Sequence, residues 1–120
     1  MKRSLLIFSA FLPFLSLIMR GEDTPVFPGG PDAMNKYVAS NKRYPDVAKE
    51  NGIEGIVVIG FMVQPDGSLT EIKVLRFIDP DLEREALRVV SGMPKWIPAT
   101  KDGTPIEAPS NVEINFEIPD

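Results

Sequence analysis

The chain has 120 residues, no histidine, no cysteine and a formal net charge of −4. The missing residue types exclude Ser-His-Asp and Cys-His nucleophile systems, zinc sites built on imidazole or thiolate, and any disulfide framework. Three of the 13 basic residues fall within the first twenty, so from Gly21 onward ten basic residues face 17 acidic ones, a net charge of −7 that argues against non-specific nucleic-acid binding.

At the N-terminus Lys2 and Arg3 precede the uncharged residues 4–19, in which Pro13 follows an apolar run, and a polar sequence comes after. This is the layout of a secretory signal over residues 1–21, though it lacks an Ala-x-Ala cleavage site. Left in place, residues 4–19 at about 1.5 Å rise cover only ~24 Å of the ~30 Å hydrocarbon core and would make a marginal anchor. In either case the positive start directs the remaining chain outward.

Residues 22–43 form a lead-in. It begins extended, turns at Gly29-Gly30, and has Pro31 at the start of a short helix whose Met34, Tyr37 and Val38 fall at i, i+3 and i+4, ending near Asn41. Pro45 opens one or two further turns, with Val47 and Ala48 expected inward and Gly52 as the left-handed stop. A run of β-branched and aromatic residues over 56–63, the turn Gln64-Pro65-Asp66-Gly67 and a second run to Phe77 predict a hairpin.

Asp79 is placed to cap the next helix, with Pro80 at its first position and Asp81, Glu83 and Glu85 near its positive end. Leu82, Ala86, Val89, Val90 and Met93 make its apolar stripe. Gly92 and Pro94 stop it, Trp96 sits in the corner before Pro98, and Asp102-Gly103 makes a turn. The chain then alternates Val112, Ile114, Phe116 and Ile118 with Glu113, Asn115 and Glu117, as a strand with one buried and one wet face does. The sum is an α+β domain over residues 44–120: a three-stranded antiparallel sheet of order 2-1-3, helices packed on one face, and the last strand at an edge.

Tyr44-Pro45, the stretch from Gly52 to Gly55, Pro65-Asp66-Gly67, Leu82 with Ala86, Trp96 with Pro98, Gly103 and Phe116 follow one another over about 75 residues. In that order and spacing the chain resembles the TonB C-terminal domain family. Its Phe27-Pro28-Gly29-Gly30 lead-in looks like that of the short Bacteroidetes version. The resemblance implies a periplasmic domain that takes an extended peptide from the plug of an outer-membrane TonB-dependent receptor as an added strand, with no cofactor. It places the receiving edge at Asn111, Val112, Glu113, Ile114, Asn115, Phe116 and Glu117, flanked by Arg43, Tyr44 and Pro45. An inner-membrane proton-driven motor or a full-length TonB are the further partners it implies.

Two departures bear on coupling. The family's membrane helix carries a histidine that this chain lacks, and Tyr44 stands only 24 positions after Arg20, an upper reach of about 85 Å. A binder, an adaptor without energy transduction of its own, and a homodimer pairing through the exposed edge are therefore all compatible with the sequence.

Catalysis has little support, because no nucleophile-base pair or phosphate loop is present. The acids at 79, 81, 83 and 85 read better as a capped helix start than as a metal or acid/base cluster. Glu113 and Glu117 have a plain reading too, as charges that guard an edge strand from aggregation.

Overall fold

The computed structural model describes residues 24–120; the expected secretory signal and the first two residues of the lead-in lie outside them. The elements are α1 (Gly30–Asn41), α2 (Asp46–Glu50), β1 (Gly55–Val63), β2 (Leu69–Arg76), α3 (Pro80–Ser91), β3 (Ala99–Lys101), β4 (Thr104–Ile106) and β5 (Ala108–Phe116). The main sheet has the order β2-β1-β5 and is antiparallel throughout, as the hairpin and the returning last strand predict. A small hairpin of β3 and β4 closes on the Asp102-Gly103 turn, where the sequence shows only the turn.

Alternation decides which face is buried. Val57, Ile59, Phe61 and Val63 of β1, with Val112, Ile114 and Phe116 of β5, lie under the helices together with Leu82, Ala86, Val89 and Val90 of α3. Asp79 caps α3 by accepting from the backbone N–H groups of Asp81 at 2.9 Å and Leu82 at 3.1 Å. Of the pair expected inward on α2, only Ala48 is buried; Val47 stays exposed, because neighbours on a helix point about 100° apart and five residues offer a single inward position.

The hairpin turn is also a junction. Gly67 takes φ +90°, its N–H reaches the Gln64 carbonyl at 2.8 Å, and its carbonyl accepts from the Trp96 backbone at 2.9 Å. A Cβ on Gly67 would lie 2.3 Å from the Trp96 carbonyl oxygen, so only glycine fits this approach. The Trp96 ring is buried, edge-on to Phe61 at 5.1 Å and to Phe27 at 5.8 Å. Val26 and Ile97 exchange backbone hydrogen bonds at 3.0 and 2.8 Å, which fastens the lead-in to the same corner.

The last strand differs from its expected span. It begins at Ala108 rather than Asn111 and ends at Phe116 rather than Ile118, because its partner β1 starts at Gly55, opposite Phe116. The Ile118 N–H is satisfied instead by the Glu54 carboxylate at 2.6 Å.

Candidate functional site

The sheet has two edges, and they are unlike. β2 departs from regular pairing twice: Leu75 is an extra residue between the pairs Val58↔Arg76 and Ile59↔Val74, and a second irregularity lies between Gly60↔Lys73 and Met62↔Thr70. Within the second, Glu71 takes a left-handed φ of 52°. Bulges of this kind twist an edge out of the flat geometry that a new strand needs. β5 instead pairs with β1 through nine consecutive residues without a shift.

Proline sets the parity of the outer edge of β5. Pro109, opposite Met62, has no N–H to give, so it suits a position whose backbone groups point away from β1. Every second residue then does the same, which turns the N–H and C=O groups of Asn111, Glu113 and Asn115 outward. The Lys42 ammonium bears this out by donating to the Asn115 carbonyl from outside the sheet. No strand among the described residues pairs with this side.

Lys42 is held there from behind. The Arg88 guanidinium donates to the Asn41 carbonyl at 2.6 Å, and the Arg43 N–H donates to the Glu85 carboxylate at 2.6 Å. Arg88 and Glu85 are themselves joined by two bonds at 2.9 and 2.8 Å, a fork that holds the Glu85 carboxyl below its ordinary pKa, against the opposing effect of burial. With both neighbours tied to α3, the Lys42 side chain turns the other way and lies 5.5 Å from the centre of the Phe116 ring.

α1 runs beside the edge without being part of the core. None of its residues is fully buried, and Tyr37 ties it to α3 by a 3.3 Å bond to the Val89 carbonyl. Between α1 and β5 lies a groove of about 210 Å³ whose walls include Met34, Val38 and Lys42 on one side and Val112, Glu113 and Asn115 on the other. A second hollow of about 200 Å³, lined by Phe27, Met34, Trp96, Ser110 and Asn111 among others, lies at the start of the same strand. The buried indole N–H of Trp96 has no hydrogen-bond partner among the described residues.

The expected site residues therefore divide. Those from Asn111 to Glu117 lie in one line, with Glu113, Asn115 and Glu117 exposed and Val112, Ile114 and Phe116 inward. The Tyr44 ring packs edge-on against Phe116 at 5.6 Å, and its hydroxyl donates to the Ile53 carbonyl; burial, and then the charge of Glu54, raise its pKa. Arg43 and Pro45 border a different groove, along Asp81, Arg84, Glu85 and Arg88 of α3. Sequence reasoning missed Lys42 and the groove-side role of Met34 and Val38. Their i, i+4 spacing was visible, but it reads equally as a core stripe.

Among the described residues no three acidic, histidine or cysteine side chains gather to hold a metal ion, and no helix is long and apolar enough to cross a membrane.

An antiparallel sheet of order 2-1-3 with helices on one face and a regular edge strand defines an α+β module of the TonB C-terminal type. The family model for the Gram-negative bacterial TonB protein C-terminal region matches residues 40–118, and the chain belongs to that family. It is 33% identical over 73 residues to the TonB proteins of two Helicobacter pylori strains, a match over 60% of this chain and 26% of each relative. The chain thus spans about a quarter of the length of the curated relatives it matches. A solution structure of the H. pylori TonB C-terminal domain superposes with a TM-score of 0.53 at 26% identity, covering 71% of this chain and 89% of that one. The C-terminal domain of TonB from Pseudomonas aeruginosa gives 0.52 at 25% identity, covering 66% and 80%.

Proposed function

We propose that this chain works in the periplasm in TonB-dependent outer-membrane transport, by taking an extended peptide from the plug of an outer-membrane receptor as a fourth strand beside β5. The observation that carries this reading is the contrast between the edges: nine unshifted pairs behind β5, two irregularities in β2. A guest strand would exchange main-chain hydrogen bonds with Asn111, Glu113 and Asn115, and one of its N–H groups would replace the Lys42 ammonium on the Asn115 carbonyl. Tyr44 supports the end of the receiving strand through Phe116, and Arg43 and Pro45 are available to the part of the guest that runs past it.

Asn115→Pro is the direct test, because it removes an outward N–H while leaving the bonds to β1 in place. The variant should unfold within about 1 kcal/mol of the parent, as edge-strand substitutions allow, yet lose binding of receptor plug peptides followed by NMR shifts along β5. Unchanged binding would refute strand addition at this edge. Concentration-dependent mass in sedimentation, abolished by the same variant, would instead assign the edge to a second copy of the chain.

A further inference from the structure

The groove beside β5 has two different sides, and they sort the side chains of a guest strand. A strand added to β5 places alternate residues on opposite faces of the extended sheet, each beside the β5 residue it pairs with. Guest residues on the helix-covered face would enter the groove between α1 and β5, whose apolar lining is Met34, Val38, Ala39 and Val112 and which Asn35, Lys42, Glu113 and Asn115 also border. Guest residues on the other face would stand beside Glu113, Asn115 and Glu117, which are exposed and whose two carboxylates take part in no ion pair among the described residues.

We propose that this site selects an extended segment in which apolar residues alternate with basic ones, α1 supplying the apolar wall and Glu113 with Glu117 the acidic rail. The inference rests on strand addition at β5 and goes further by naming the chemistry of the guest. Met34 and Val38 stand in the lead-in, ahead of residues 40–118 that the family model matches. Both are half-buried and pack against the margin of the core, so unfolding measurements on each variant accompany its binding measurements. The fit is one of charge as well as shape: cross-strand pairs of opposite sign stabilise and like-charged pairs destabilise.

The test uses the full chain and three blocked nine-residue peptides, alternating valine with lysine, valine with glutamate, and serine with lysine, titrated by calorimetry. The valine-lysine peptide should bind about tenfold tighter than each of the others, the size expected from two favourable cross-strand pairs or from the apolar burial that serine cannot supply. Val38→Asp should weaken it by about tenfold through disruption of the apolar wall. The double variant Glu113→Lys, Glu117→Lys should reverse the preference toward the valine-glutamate peptide.

Equal affinities for the three peptides, no binding of the valine-lysine peptide at millimolar concentration, or a preference that survives the charge reversal would overturn the selection. Asn115→Pro separates strand addition from selection. If it abolishes binding while the peptides are not discriminated, strand addition stands and the selection falls; if valine-lysine binding is indifferent to it, strand addition falls as well.

Discussion

At the scale of single residues, two positions hold the corner on which the rest depends. Gly67 combines a left-handed backbone with a carbonyl contact that leaves no room for a methyl group. Gly67→Ala should therefore cost about 2 kcal/mol or more, since the strained φ and the clash with the Trp96 carbonyl act together; urea unfolding measures it. Trp96 is the larger element of the same junction, enclosed between Phe61 and Phe27. Trp96→Ala should cost ~3–5 kcal/mol, as expected for a buried aromatic ring replaced by a methyl group. A smaller loss for Trp96→Ala than for Gly67→Ala would mean that the turn, and not the ring, sets the geometry of the corner.

At the scale of elements, the clamp of α3 on residues 41–43 has a pH dependence that follows from its charges. Glu85 has its pKa lowered on folding from an ordinary 4.5, first by the Arg88 hydrogen bonds and then, against burial, by the Arg43 N–H. A carboxyl with a depressed folded pKa adds stability that is present above 4.5 and is given up as pH falls through the lower folded value. Acidification should thus release the Asn41 and Arg43 contacts, and with them the seat of Lys42, before the core melts. Protection of the Arg43 amide from exchange, taken relative to the unfolded-chain rate at the same pH, should fall at low pH in the parent and be lost at every pH in Glu85→Ala.

Such elements were unequally legible in the sequence. The hairpin, the capped α3 and the alternating last strand were readable because each is written in local spacing and turn chemistry. The bulges in β2, the Val47 side that stays wet, and the placing of α1 beside β5 were not, because each is decided by contacts between segments far apart in the chain. Arg43, Tyr44 and Pro45 show the same limit. Their proximity to the end of β5 follows from chain order, but only the fold shows that two of them border α3 while Tyr44 supports Phe116.

At the scale of the whole molecule, the lead-in is a strap fastened at both ends. Phe27 and Val26 fix its start to the Trp96 corner, and the Arg88-Glu85 fork fixes its finish. Phe27→Ala should cost ~3–5 kcal/mol in chemical unfolding and speed amide exchange throughout α1, since the buried ring is what holds the first end. Exchange in α1 that stays at the parent's rate would show that Tyr37 and the fork suffice. The bulged outer strand carries a last consequence. A sheet that can grow on both sides can string copies into a ribbon without limit, whereas one that can grow only beside β5 is finished after a single addition. Strand addition at β5 should therefore be self-terminating, stopping at one guest or one pair of facing copies, which sedimentation over a range of concentrations checks.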